Sequence, residues 1–159
     1  MSRIRTAATG LVVRDGHVLL VKGNWPQPAT WLPPGGGQKL GEPLHRTVER
    51  EVLEETGVTV RAGQLLFLRE HIPANHEDGP SAYDRNHRVD ALFWCEVVSE
   101  PSKLGGSIPD PTHTGVEWVP LDKLGGLRMI PLYLRDQVTN VVAQAAAGTW
   151  QTMYLGDMA

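Results

Sequence analysis

Four of the seven residues from 49 to 55 are glutamates (Glu49, Glu51, Glu54 and Glu55), in a chain of 159 residues that carries only 18 acids. Carboxylates are hard oxygen donors, and their spacing decides what they can hold in common. On a helix, Glu51 and Glu55 stand four apart and Glu51 and Glu54 three apart, so the three share an arc of roughly 100°. Like charges so spaced repel by about 0.2–0.5 kcal/mol per pair, and by more where water is excluded. Arg50 reaches Glu54 one turn on, but one guanidinium cannot neutralise three carboxylates. A divalent cation can. An oxygen-only face that leaves room for water and a phosphate suits Mg²⁺ or Mn²⁺. Taken alone, the run also reads as a solvated acidic face, so its surroundings must decide.

Those surroundings are ordered. Pro43 suits a helix start and Gly57 the left-handed residue just past a helix end, which predicts a helix over 43–56. Val48 and Val52 border the acidic arc and anchor the helix to a sheet. Upstream, the prolines and the run Gly35, Gly36 and Gly37 make 24–37 a loop, whose glycines let the backbone approach a metal or phosphate. The stretch GGQKLGEPLHRTVEREVLEETGV, residues 36–58, fits G-x5-E-x7-R-E-U-x-E-E-x-G-U, where U is apolar. Its fixed positions are Gly36, Glu42, Arg50, Glu51, Glu54, Glu55 and Gly57, with Val52 and Val58 apolar. This resembles the Nudix box at every defined position, a match that typical residue frequencies would produce roughly once in 10⁷ such chains.

The resemblance implies an α/β fold, a Nudix-type α/β/α sandwich around a mixed β-sheet. It implies a metal-dependent hydrolase that cleaves the pyrophosphate bond of a nucleoside diphosphate linked to another group X, by water attack at phosphorus. By the same resemblance, Glu51, Glu54 and Glu55 bind Mg²⁺ or Mn²⁺, assisted by a backbone carbonyl at Gly35 or Gly36. One of these acids, or one from a later loop, takes the proton of the attacking water, while Arg50 and Glu42 orient the loop and helix. A homodimer is favoured over a monomer. The alternative is a catalytically silent nucleotide-binding sensor of the same fold, against which the intact acid set argues. A diphosphate isomerase of related fold would need a Cys–Glu proton pair that Cys95, in the apolar run ALFWCEVV, does not supply. Trp31 and Pro34 are similar to the W-x-L-P-G-G lead-in of many members, with Pro33 where leucine is usual. Lys39 stands where members often carry an acid, and solvent is its expected surrounding.

The rest of the chain is read from composition and pattern. A net charge of −3 and a pI near 6.0 exclude a broad basic surface for nucleic acid. With 41% apolar and 21% charged residues, residues 1–159 form a single globular domain. No apolar stretch approaches the ~18 residues of a membrane span, and no signal peptide is evident, so a cytoplasmic protein is expected. Asp15-Gly16 marks a hairpin between two strands within 6–23. Further strands are predicted over 58–72, 87–98 and 116–120, and a second helix over about 131–147 with Leu134, Val138 and Val141 on its apolar stripe. The long polar loops 73–86 and 99–115 are expected to be functional. Substrate contacts are sought among Tyr83, Arg85, His87 and Arg88, with Trp25 near the first loop, since arginine pairs with phosphate and aromatics stack on bases. Glu117 is a candidate for an extra ligand or base. His71, His76, His87 and His113 read as polar loop residues without zinc-like spacing, and His45 as a helix residue beside the core. The C-terminal YLGDM carries no assignable chemistry.

Overall fold

In a computed structural model, which describes residues 3–24, 27–76, 86–108 and 110–158, Asp15 and Gly16 both turn with positive φ, 51° and 72°. That backbone makes the tight hairpin the dipeptide predicts, joining β1 (Ile4–Arg14) to antiparallel β2 (His17–Gly23). The segment expected to be all loop, 24–37, is partly strand. Its β3 (Thr30–Leu32) pairs with β2, and β4 (Gly35–Gly37) pairs with β1, Ala8 facing Gly36. Glycine lowers strand propensity without forbidding a ladder, and here it is demanded by close approach. A Cβ on Gly35 would lie 2.5 Å from the Ala8 carbonyl oxygen.

Helix α1 (Leu44–Thr56) begins one residue later than predicted, because Pro43 is extended at ψ 154°. It ends where predicted, at Gly57 with φ 79°, whose N–H donates to the Leu53 carbonyl. After it come β5 (Thr59–His71), a 3-10 turn at Pro73–Asn75, β6 (His87–Ser99), β7 (His113–Pro120) and a 3-10 turn at Leu121–Gly126. Then follow β8 (Arg128–Met129), α2 (Leu132–Ala146) and β9 (Met153–Asp157). The strands form one sheet in the order β8-β3-β2-β1-β6-β5-β9, with β4 added to β1 and β7 to β2. Pairs β1–β6, β5–β9 and β3–β8 are parallel and the others antiparallel, so the sheet is mixed.

Successive residues of the central strands divide between two cores. Val12 and Leu19 lie with Val48 and Val52 of α1, while their neighbours Leu11 and Leu20 lie with Leu134, Val138 and Val141 of α2. This period-two alternation makes the sheet the middle layer of an α/β/α sandwich. Cys95 is buried in the α1-side core, where burial pushes its thiol up to about 12, as suits a small core residue. His45, expected beside the core, is exposed, because the buried stripe of α1 runs through Thr47, Val48 and Val52 instead. Strand β9 was not anticipated. Its Met153 and Tyr154 are exposed and show no burial signal; the pairing is set from outside, by Trp150, whose indole donates to the Leu66 carbonyl at 3.1 Å. Among the described residues no helix is long and apolar enough to cross a membrane.

Candidate active site

Arg50 organises the acidic face of α1. Its Nε donates to Glu42 at 2.7 Å, one terminal nitrogen donates to Glu42 at 2.9 Å and to the Gly37 carbonyl at 3.0 Å, and the other donates to Glu51 at 2.8 Å and Glu54 at 3.1 Å. All five donor directions of the fork serve the junction between glycine turn and helix. Glu42 also accepts from the Thr47 hydroxyl at 2.8 Å, and with Arg50 the largest influence its carboxyl is held at about 2, far below the usual range. Arg50 and Glu42 therefore tie the turn to the helix.

Glu55 is the acid Arg50 does not serve. It receives a long bond of 3.4 Å from the Gly35 N–H, and burial above all, then the charges of Glu51, Asp110 and Glu54, push its carboxyl up to about 8. The Glu51 carboxylate lies against Gly36, where an added Cβ would meet it at 2.5–2.7 Å. Both glycines named from the sequence thus abut the acids. The three carboxylates do not gather as closely as a shared cation would draw them: they offer no trio of oxygen atoms within 4.8 Å of one another. Glu51 and Glu54 lean on the guanidinium while Glu55 turns to the glycine amide, an arrangement that mutual repulsion favours.

The loop after β6 fixes the other end of the helix. Gly105, Gly106 and Ile108 donate their N–H groups to the carbonyls of Thr56, Glu55 and Glu54 at 2.9, 3.1 and 3.2 Å, satisfying the free end of α1. A Cβ on Gly106 would overlap the Glu54 carbonyl, so no other residue fits. The same loop brings up Asp110, oriented by the Thr112 N–H and hydroxyl at 2.8 and 2.7 Å. Nothing local in the sequence singles out Asp110.

On their other side Gly35 and Gly36 border a cleft of about 380 Å³. Arg69, His71, Arg88, Asp90, Leu32 and Tyr133 are among its walls, with Arg69 paired to Asp90 at 3.2 Å and stacked over Tyr133 at 5.5 Å. Arg88, one of the expected substrate contacts, lies in this cleft. His87, its neighbour, does not: alternation along β6 turns it away, and its Nε2 lies 2.9 Å from Glu70. Glu117 is exposed on β7, and alternation places it with Val119 on the α2 side of the sheet, across from α1. Tyr83, Arg85 and Trp25 fall outside the described residues. Lys39 is exposed, as expected. Arg69, Asp90 and Tyr133 were missed because each sits inside an ordinary strand or helix pattern, with no motif around it.

The layering and the box together define a class, the Nudix pyrophosphohydrolases. The NUDIX domain pattern matches residues 4–139, and the chain belongs to that family. It is 25% identical over 130 residues to the ADP-ribose pyrophosphatase of Methanocaldococcus jannaschii, covering 81% of this chain and 72% of that one. Among solved structures, a NUDIX hydrolase from Nitrosomonas europaea superposes with a TM-score of 0.68 at 20% identity, over 92% of this chain and 90% of the other. The MutT NUDIX hydrolase from Burkholderia pseudomallei is 30% identical, with a TM-score of 0.56 over 75% and 84% of the two chains.

Proposed function

We propose that this protein hydrolyses the pyrophosphate bond of a nucleoside diphosphate joined to a second group, with Mg²⁺ or Mn²⁺ held by Glu51, Glu54 and Glu55 beside Gly35 and Gly36. The observation that carries this reading is a shared wall: the two glycines touch the acids on one side and line the cleft on the other. The donor set suits a hard cation. It offers carboxylate oxygens and backbone, and one of its acids, Glu55, is left without a basic partner and pushed up to about 8. A divalent cation there would lower the pKa of the attacking water and offset charge on the phosphoryl group.

The chain's own residues do the rest. Arg50, anchored by Glu42, holds Glu51 and Glu54 at the turn. Glu55 keeps a proton at its carboxyl near neutral pH and gives it up when positive charge arrives. Arg69 and Arg88 line the cleft with charge suited to phosphate, and Tyr133, Leu32 and Ile130 offer apolar surface to a base or sugar. The name of the M. jannaschii relative puts ADP-ribose first among candidates.

The test is a panel of ADP-ribose, other nucleoside diphosphate derivatives and nucleoside triphosphates, each with Mg²⁺ in ¹⁸O-water. ADP-ribose should yield AMP and ribose phosphate, with one ¹⁸O in one product. Turnover of triphosphates alone would overturn the diphosphate reading. Binding without turnover of any member would make the protein a sensor.

A further inference from the structure

Outside the acidic helix, three side chains from remote segments meet. His71 ends β5, His76 follows the Pro73–Asn75 turn, and Asp157 ends β9, 81 residues beyond His76. One ligand atom from each lies within 4.8 Å of the other two. A tetrahedral zinc ion with bonds of about 2.0–2.2 Å holds its ligands roughly 3.3 Å apart, so the trio needs only modest contraction. His76 Nε2 and Asp157 Oδ1 are already 2.8 Å apart, and the two imidazoles stack at 5.1 Å with planes 8° from parallel.

The surroundings orient each donor. His71 is buried, and its Nδ1 lies 3.1 Å from the Met158 carbonyl, an oxygen that can only accept. Nδ1 therefore carries the proton and Nε2 keeps its lone pair, the state in which a histidine binds a metal with a backbone carbonyl behind it. Asp157 is aimed by the Ile72 N–H at 2.9 Å and the Asn75 amide at 2.8 Å. Two imidazoles and one carboxylate form a borderline donor set that selects Zn²⁺, Co²⁺ or Ni²⁺ over Mg²⁺, and three protein ligands leave one position open.

We propose that His71, His76 and Asp157 form a second metal site, for Zn²⁺ or a transition ion of its kind, that clasps the C-terminal strand to the end of β5. The ion takes the place of the proton now shared by His76 and Asp157. Because His71 also lines the cleft, loading this site stiffens one wall of the substrate chamber. His71 and His76 do stand within zinc-finger-like spacing, four residues between them, but the third ligand is too distant in sequence for a motif to reveal it.

Co²⁺ serves as the probe, added to the full-length protein in millimolar Mg²⁺ that occupies the acidic helix. Nitrogen-rich four- or five-coordinate Co²⁺ absorbs strongly in the visible, whereas Co²⁺ among carboxylates and waters absorbs weakly. A strong band saturating at one Co²⁺ per chain is expected, displaced by Zn²⁺ and accompanied by a rise in Tm. It should vanish in His76→Ala and in Asp157→Asn and persist in Glu54→Gln, whose loss touches only the acidic helix. Asp157→Asn keeps one oxygen for the Ile72 N–H and gives up the bond from the Asn75 amide, so circular dichroism is used to check that both variants fold. A weak spectrum alone in the wild type, or a strong band that survives both substitutions, overturns the assignment. Neither result bears on Mg²⁺-dependent hydrolysis, which the substrate panel tests separately.

Discussion

Replacing Glu55 by Gln should stabilise the metal-free protein while disabling it. The Glu55 carboxyl is pushed from 4.5 to about 8, first by burial and then by Glu51, Asp110 and Glu54. Its native pKa is raised, so the folded state keeps a proton that the unfolded chain releases. Stability from this group is thus complete below pH 4.5 and is lost as pH rises through 8. At pH 7 the wild type has forgone two and a half pH units of ionisation at 1.36 kcal/mol each, about 3 kcal/mol, which partial exposure trims to about 2–3. Glutamine has no proton to retain, and its amide can accept from the Gly35 N–H. In EDTA-treated buffer the variant should therefore melt roughly 5–10 °C above the wild type at pH 7. The gap should close toward pH 4.5 and widen toward pH 8. Mg²⁺ should shrink it, since the cation rewards the ionised wild type, and calorimetry at pH 7 should register close to one proton released per wild-type chain on binding. The kcat should fall by roughly 10²-fold or more. A variant no more stable than the wild type at pH 7, or a gap that ignores pH, would refute the reasoning.

Gly36→Ala should leave the melting temperature nearly unchanged but cut kcat sharply, because the new Cβ meets only the movable Glu51 carboxylate and pushes it aside; steady-state kinetics beside a thermal melt separates the two effects. Arg50→Lys should lose about 1–3 kcal/mol in urea titrations, since an ammonium cannot span Glu42, Glu51, Glu54 and the Gly37 carbonyl together. Arg88→Ala should raise KM several-fold with kcat little changed if the cleft receives the substrate phosphates, and unchanged kinetics would remove Arg88 from the site.

The box was legible because its chemistry is local. Helix periodicity puts Glu51, Glu54 and Glu55 on one side, Gly57 ends the helix, and Arg50 sits where it can bridge. The layers were legible too, since Leu11–Val12 and Leu19–Leu20 alternate between two cores, the pattern a sheet covered on both faces must show. What escaped was set by distant pairing. Gly35–Gly37 became strand because β1 offered a free edge, which at Gly35 only glycine could approach closely enough. Asp110 reaches Glu55 through a loop whose register depends on Gly106 fitting against the Glu54 carbonyl. His87 lies off the cleft through alternation: one position along β6 separates it from Arg88, and that step reverses the face.

The acidic site also keeps repulsion and order apart. The backbone of α1 is fixed at both ends, by the Arg50 fork at the glycine turn and by the three loop N–H groups on the carbonyls of Glu54, Glu55 and Thr56. The side chains are not so fixed. Glu51 and Glu54 rest on one guanidinium, and Glu55 has only a long bond to an amide. Drawing all three onto a cation therefore requires rotamer changes of three carboxylates and no rearrangement of the helix. Arg50 has Glu42 as an anchor apart from these three acids, so its charge would stay in place to orient them if they took up an ion. On this account Glu42→Gln should impair activity without touching any ligand, by loosening Arg50 and letting it pair more closely with Glu51 and Glu54. Its signature is a weakened apparent affinity for Mg²⁺ in calorimetry, and an unchanged affinity would show that the anchor has no part in the switch.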